Sequence, residues 1–289
     1  MERIGFVGVG RIGLPIAAHL IAAGYEVRGY RRGSLAEFVA RGGTAAASPA
    51  DAARGAGIVF TCLPSDDALE EVVCGPAGLL TAAHRGQIVV ELGSHPLAFK
   101  QRYVAPLAAN GVTFVDGEVS GTPGMVEDRK AVIYLGGPGE AVARLEPVVA
   151  AFADLCLNLG GFGTATRVKL VNNFLVALHI AGTAQAMALG VATGVDTETL
   201  IRAVALGSGG STQFAIRAPW MAARRFLPVQ GSAPGLAHYL DGARDLAREA
   251  GVRSDLVDAL ISLYGKAVPG IGERDVAALV EFFEPPPTP

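Results

Sequence analysis

The sequence predicts an α/β protein: a doubly wound, mostly parallel sheet in the N-terminal half, then an all-α C-terminal half joined to it by a long helix. Three observations carry this expectation. The first half alternates short apolar β-rich runs with helical patterns, as a parallel sheet covered on both faces requires. A run from about Thr164 to Ala192, built mainly of Ala, Leu and Val, is the longest helical stretch. After it, only helical patterns follow. At 289 residues the chain suffices for two cores. The expected division is an α/β domain at 1–162, an all-α domain at 163–284, and a disordered tail at 285–289.

The elements follow in order. Arg3 to Val7 is a short β-rich run leading directly into Gly8-Val9-Gly10-Arg11-Ile12-Gly13, and a helical pattern from Leu14 to Ala23 is closed by Gly24. Strand, GxGxxG and helix in this order form a dinucleotide-binding, Rossmann-type context. The first glycine allows the tight turn and the second lets backbone approach a pyrophosphate. The third lets helix and strand pack closely, and the helix N-terminus offers free N–H groups to the anion. Pro15 falls in the first turn, where its missing N–H costs little. Gly8, Gly10, Arg11, Ile12 and Gly13 are therefore the expected cofactor loop.

The second strand, Glu26 to Tyr30, should end beside the adenosine ribose, where an NAD site places an acid. Here the chain has Arg31-Arg32-Gly33-Ser34. Two guanidiniums suit a 2′-phosphate, and Ser34 can add a hydroxyl while capping a helix from about Leu35. Solvated loop arginines would read the same way, but the missing acid favours NADP(H), with NAD(H) possible. Further strands are expected at Ile58 to Cys62, Gln87 to Leu92, Val112 to Asp116 and Ala131 to Leu135. Helices are expected from about Asp66 through Val73 and from Leu97 to Ala109. Leu63-Pro64, Ser94 and a loop at Gly117 to Gly124 lie at strand C-termini, where such sheets bind ligands, although each is also an ordinary turn sequence.

In the second half, Asp196 is a candidate N-cap for a helix from Thr197 to Leu206. Gly207 to Ser211 reads as a flexible connection. Helices are expected at Phe214 to Ala223, Pro234 to Ala250, Arg253 to Val268 and Asp275 to Phe283. His179 reads as a core histidine, Trp220 and Met221 as packing residues, and Arg224-Arg225 as solvated.

Charge and composition narrow the function. Net charge is −3 and no basic run points to nucleic acid. Cys62, Cys74 and Cys156 have no pairing or metal spacing, so free thiols in a reducing compartment are expected, with Cys74 the candidate for exposure. No metal is expected. Met1 to Gly10 has no secretory pattern, and Phe174 to Ala192, apolar enough to span a membrane, carries His179 and Gln185 and is read as a buried helix. The expectation is a cytoplasmic protein. So apolar a helix exceeds what a small domain can cover, which suggests a homodimer or homotetramer.

The long helix opens with Gly161-Phe162-Gly163-Thr164-Ala165-Thr166-Arg167-Val168-Lys169-Leu170-Val171-Asn172-Asn173. Asn is a poor helix former, and residues three and four apart share a face. Lys169 can thus present its ammonium beside Asn172 or Asn173, though an amphipathic helix start with solvated polar groups would look alike.

With GVGRIG, TCLPSDDALEEVV, Glu91-Leu92-Gly93-Ser94, VDGEVSGTPGMVEDRKAVIYLGG, GFGTATRVKLVNN and LAREAGV in order, the sequence resembles the 3-hydroxyisobutyrate dehydrogenase-like, or β-hydroxyacid dehydrogenase, family, relatives of 6-phosphogluconate dehydrogenase. The resemblance covers nearly the whole chain. It implies that Ser120 and Gly121 hold a substrate carboxylate, with Thr122 replacing a second glycine and narrowing that loop. It implies Lys169 as the catalytic lysine and Asn173 as its assistant, leaving Asn172 as a secondary, substrate-side candidate. Leu63, Pro64 and Ser94 match cofactor contacts. The chain departs from the family at Glu118, where proline is common, and at His238-Tyr239, which replace a Lys-Asp pair near the nicotinamide and make His238 a candidate cofactor contact.

A lysine in a partly desolvated cleft can act as general acid or base near neutral pH, and its charge stabilises a developing oxyanion. The expected activity is NADP(H)-dependent interconversion of a short 3-hydroxy acid and its semialdehyde or keto acid. The substrate is then a small carboxylate-bearing alcohol or aldehyde. An imine reductase of the same fold is an alternative, disfavoured by Lys169 and kept open by His238-Tyr239. A non-catalytic NADP-binding sensor is another, disfavoured by Ser120, Lys169 and Asn173.

Overall fold

The computed structural model describes residues 2–285. The chain divides into two compact units, Met1–Lys169 and Leu170–Pro289, with the boundary inside a helix. The remainder of the expected tail, 286–289, lies outside the described residues.

The first unit begins with β1 (Arg3–Val7), α1 (Gly13–Ala22), β2 (Glu26–Tyr30), α2 (Ala36–Ala40), β3 (Thr44–Ala45) and α3 (Pro49–Ala53). β4 (Ile58–Thr61), α4 (Asp66–Cys74), a 3₁₀ turn at Leu79–Thr81 and β5 (Ile88–Glu91) follow. Then come α5 (Leu97–Gln101), α6 (Val104–Ala109), β6 (Thr113–Ser120), α7 (Pro123–Glu127), β7 (Val132–Gly136), α8 (Gly139–Val149) and β8 (Leu155–Asn158). The sheet order is β3-β2-β1-β4-β5-β6-β7-β8. All neighbours are parallel except β6 and β7, which pair antiparallel from Asp116↔Gly136 to Ser120↔Val132.

The central strands are largely apolar because both faces are covered. Alternate side chains point to opposite faces. Ile4, Phe6, Ile58, Phe60, Ile88 and Val90 join one buried cluster, while Val7, Val59 and Val89 join another. Chain order reverses between β1 and β4, the switch point at which such sheets open a crevice.

Some expected elements change. The helix read from Leu97 to Ala109 is two helices, broken at Arg102 and Tyr103. Pro106 explains the break: it lacks the N–H that would bond the Arg102 carbonyl, and its ring crowds that carbonyl. The loop expected at Gly117 to Gly124 is strand as far as Ser120, because antiparallel pairing to β7 carries β6 past its parallel partner. The helix after Ser34 starts at Ala36. Ser34 Oγ still accepts from the Ala36 N–H at 3.2 Å. The cysteines are free, but Cys62 and Cys156 are only partly buried, and Cys74 is exposed.

Among the described residues, the helix spanning the boundary, α9 (Thr164–Ala192), is the one helix long and apolar enough to cross a membrane by length and composition. In the second unit it sends Ala177, Ile180, Ala184 and Met187 into a core. It is not buried all round, contrary to expectation: Val168, Val171 and Leu175 lie exposed at three- and four-residue spacings, Leu189 is exposed further along, and His179 is exposed rather than core. The core needs one helical stripe, and the opposite face stays outside.

α10 (Thr197–Leu206), α11 (Thr212–Ala222), α12 (Ala233–Ala250), α13 (Asp255–Ile271), a 3₁₀ turn at Val276–Leu279 and α14 (Val280–Phe283) complete this unit. Asp196 caps α10 by accepting from the Thr199 N–H at 2.9 Å. Met221 is buried, and Arg225 lies over the Trp220 ring at 4.8 Å. Arg224 is exposed and pairs with Glu284.

Asp275 is the polar anchor of the helical core. It is wholly buried, accepts from Arg217 Nη1 at 2.6 Å, and takes the Gln230 and Gly231 N–H groups at 2.8 Å each. Removing one side of a buried pair leaves the other charge uncompensated, at about 3–5 kcal/mol. Asp275→Ala should therefore lower the urea midpoint by a corresponding amount, measured by circular dichroism; an unchanged midpoint would show that the pair is not an anchor.

Candidate active site

The glycine loop between β1 and α1 holds its shape by backbone chemistry. Gly8 sits at φ +102°, a conformation open mainly to glycine, and a Cβ there would meet the Cys62 carbonyl oxygen at 2.2 Å. A Cβ on Gly13 would lie 2.2 Å from the Gly8 carbonyl oxygen, so this glycine lets α1 close onto the strand. A Cβ on Gly10 would meet nothing within 4 Å, so its backbone faces open space.

That space is a cavity of about 640 Å³ at the β1/β4 switch point. Gly8, Gly10, Arg11, Ile12 and Gly13 line it from the loop, Arg31 and Arg32 from the end of β2, and Leu63 and Pro64 from the end of β4. A concave, glycine-floored cavity at a helix N-terminus fits a dinucleotide in size and chemistry. Arg31 Nη1 donates to the Val9 carbonyl at 3.2 Å, which bends its guanidinium onto the loop. Arg32 is exposed, with Glu71 at 3.9 Å across the cavity wall. Cys62 also lines the cavity, and burial pushes its thiol up to about 12, so it stays protonated. Ser34 and Ser94, both expected cofactor contacts, are not part of this lining.

Ser94 belongs instead to a buried ionic cluster beside the sheet. Its hydroxyl donates to Glu118 Oε2 at 2.7 Å. Lys100, wholly buried on α5, donates to Glu118 Oε1 and to Asp116 Oδ1, each at 3.0 Å. Asp116 also accepts from the Thr166 backbone N–H at 2.8 Å and from Thr166 Oγ1 at 2.7 Å. The cluster thereby ties β6, α5 and the first turn of α9 together. Lys169, one turn beyond Thr166, is 7% exposed, and its Nζ donates to the Val119 carbonyl at 2.8 Å.

Burial governs the ionisation here. It pulls Lys169 below the ordinary lysine value, with the Glu118 charge partly offsetting the fall. It pushes Glu118 above the usual carboxylate range, against the opposing charges of Lys100 and then Lys169. Burial also works against a charged Lys100, but Glu118, then Asp116 and Glu91, hold that ammonium above its usual value.

A second buried group lies next to it. Glu91, at the end of β5, accepts from Thr61 Oγ1 and from the Gly93 N–H at 2.5 Å. His95 Nδ1 lies 2.7 Å from Asp66, and its Nε2 lies 3.5 Å from Glu91. Burial opposes protonation of this ring, but Glu91 and then Asp66 outweigh it and hold the imidazole above its usual value. The ring so fastens the start of α4 to the turn carrying Ser94.

Ser120 ends β6, half-buried, and Gly121 is exposed. Thr122 Oγ1 accepts from the Met125 N–H at 3.3 Å, so this residue caps α7. In the second unit, Asn173 is buried and accepts from Asn172 Nδ2 at 3.3 Å. His238 is exposed on α12, with its ring 6.1 Å from that of Tyr239. Reading the sequence missed Lys100, Asp116 and Thr166. A signal existed: Asp116 and Glu118 fall on one face of an otherwise apolar strand, where two acids need a buried cation.

Residues 3–161 match the family model described as the NAD binding domain of 6-phosphogluconate dehydrogenase. Residues 163–283 match the one described as NAD-binding of NADP-dependent 3-hydroxyisobutyrate dehydrogenase. The L-threonate dehydrogenase of Cupriavidus necator is 30% identical over 98% of this chain and 96% of its own. The chain belongs to the 3-hydroxyisobutyrate dehydrogenase-like family. Members of this β-hydroxyacid dehydrogenase family are NAD(P)-dependent oxidoreductases acting on CH–OH groups. The NAD-dependent L-serine dehydrogenase of Pseudomonas aeruginosa is 28% identical over 99% of both chains. In fold the chain is similar to a Mycobacterium tuberculosis 3-hydroxyisobutyrate dehydrogenase solved with L-serine, at TM-score 0.90 and 22% identity, covering 99% of this chain and all of the other.

The glycine geometry separates binding from folding. Gly10→Ala should keep the thermal midpoint yet weaken binding of the reduced nicotinamide cofactor about tenfold or more, read by fluorescence titration. Gly13→Ala should instead lower stability by about 1–3 kcal/mol, because the backbone has to shift. Equal effects of both substitutions on the midpoint would contradict the assignment of Gly10 to the ligand side.

Proposed function

We propose that the protein is an NADP(H)-dependent oxidoreductase that interconverts a short 3-hydroxy acid and its semialdehyde or keto acid, with Lys169 as general acid and base. The observation that carries this reading is the state of Lys169: buried, aimed by the Val119 carbonyl, and lowered in pKa by desolvation. When bound, the nicotinamide cofactor accepts or supplies the hydride. In the oxidation direction neutral Lys169 takes the hydroxyl proton as the carbonyl forms. In reduction, protonated Lys169 returns it and stabilises the oxygen as negative charge develops.

Ser120 and Gly121 hold the substrate carboxylate through hydroxyl and backbone N–H groups, with Thr122 shaping the turn that follows. Asn173 orients the reacting oxygen or the ammonium, with Asn172 fixing the Asn173 amide. Gly8, Gly10, Arg11, Ile12 and Gly13 receive the pyrophosphate. Arg31 and Arg32 favour the 2′-phosphate of NADP(H), since two guanidiniums border the cavity where an NAD site would carry an acid. Leu63 and Pro64 line the cofactor's path, and Ser94 and His238 serve its nicotinamide end. The exposed Val171, Leu175 and Leu189 on α9 support a homodimer or homotetramer.

The test follows NADPH and NADH absorbance with 3-hydroxyisobutyrate, L-serine, L-threonate, the corresponding aldehydes and cyclic imines. Lys169→Ala should reduce turnover about 10²–10⁴-fold while NADPH still binds. Near-normal turnover rejects the lysine. Arg31→Ala/Arg32→Ala should lower kcat/KM for NADPH by about 1.5–3 kcal/mol per charged hydrogen bond lost, with NADH little affected. A wild-type preference for NADH removes the arginine argument, and activity confined to imines favours an imine reductase, the reading that His238-Tyr239 keeps open. The pH sign is set by Lys169. Oxidation should rise with pH through a pKa below the ordinary lysine value, and reduction should fall through the same pKa.

A further inference from the structure

Glu118 occupies a position that packing alone does not explain. It is 1% exposed, on a strand whose neighbours Val115 and Val119 are buried apolar residues. An isolated carboxylate there would be costly to desolvate, and this one is engaged at both oxygens. Oε1 accepts from Lys100 Nζ at 3.0 Å and from Thr166 Oγ1 at 3.3 Å, and Oε2 accepts from Ser94 Oγ at 2.7 Å. One carboxylate thus joins α5, the turn after β5 and the first turn of α9. The next residue along β6, Val119, provides the carbonyl that receives Lys169 Nζ.

The charges distribute unevenly over this cluster. The ionisable groups facing it include Cys62 after β4, Glu91 from β5, His95 from the turn after β5, Lys100 from α5, Asp116 and Glu118 from β6, and Lys169 from α9. Asp116 contacts Lys100 directly and also holds the α9 backbone, so it serves Lys100 and the helix. Glu118 is an acid whose charge acts on Lys169.

We infer that Glu118 is a positioning residue for proton transfer: its carboxylate is the fixed counter-charge of Lys169 and the clamp that holds Ser94 and the first turn of α9 against β6. This rests on the reading of Lys169 as the general acid and base. With Glu118 charged, protonated Lys169 is tolerated in a buried site. With Glu118 neutral that compensation is lost, and Lys169 gives up its proton more readily.

The experiment compares pH profiles of wild type, Glu118→Gln, Glu118→Asp and Lys169→Met, using whichever of 3-hydroxyisobutyrate, L-serine or L-threonate the wild type oxidises fastest. In parallel, NMR titrates Lys169 in the cofactor-free proteins with isotope-labelled lysine, its signal assigned by its loss in Lys169→Met. Glu118→Gln should move the rising limb of oxidation, and the NMR titration, to lower pH by about one unit or more. Glu118→Asp, which keeps the charge, should stay nearer the wild type. Should Glu118→Gln fail to fold, Lys100→Met/Glu118→Gln removes both members of the pair and is compared with Lys100→Met alone, because losing the Lys100 ammonium by itself raises Lys169; the double variant should titrate below Lys100→Met. Superimposable profiles and titrations in wild type and Glu118→Gln, or in Lys100→Met and the double variant, overturn the inference. If Lys169→Met retains the limb, the lysine reading itself fails, while the NMR titration still reports whether Glu118 sets the Lys169 charge.

Discussion

The buried carboxylate of Asp116 is the interaction on which the rest of the first unit's site depends. It accepts the Thr166 N–H and hydroxyl at the start of α9 while paired to Lys100. An acid at a helix N-terminus satisfies an otherwise unpaired donor and complements the helix dipole. Here it also fixes where the helix begins relative to the sheet. Lys169 follows Thr166 by one turn, so the bond that pins Thr166 sets where the Lys169 ammonium can reach. Its contact with the Val119 carbonyl is a consequence of that start point.

Charge burial on this scale is sustained only because every participant is paired. Lys100 is wholly enclosed, yet two carboxylates hold it charged. Lys169 donates to the Val119 carbonyl, and burial lowers it, the Glu118 charge only partly offsetting the fall. The contrast holds one lysine above and the other below its ordinary value, although both are buried. Environment separates them, as paired titratable groups in one site are separated by their surroundings. The Glu91, His95 and Asp66 group extends the same principle towards α4 and supports the turn that carries Ser94.

The cofactor cavity depends on a different constraint, the close approach of backbones. Gly8 and Gly13 are required because a side chain would strike carbonyl oxygen, and Gly10 leaves backbone open towards the cavity. These roles are readable from GxGxxG spacing between a strand and a helix, because they arise within a few residues. The β1, β2 and α9 bounds and the Asp196 cap were legible for the same reason: local periodicity and capping chemistry determine them. The break at Arg102 was overlooked although Pro106 signals it.

What the sequence determined by itself was local. It set the alternation of strand and helix, the glycine turn, the arginine pair after β2, and a lysine with two asparagines entering an apolar helix. Tertiary structure decided what distant residues meet. Antiparallel pairing with β7 turned an expected loop into the strand bearing Glu118 and Ser120. Packing exposed His179 and one face of α9, since a helix's apolar content does not say which stripe a core will take. Lys100, Asp116, Glu118 and Thr166 become a single cluster only when α5, β6 and α9 assemble, because a buried charge selects its partner by proximity in space.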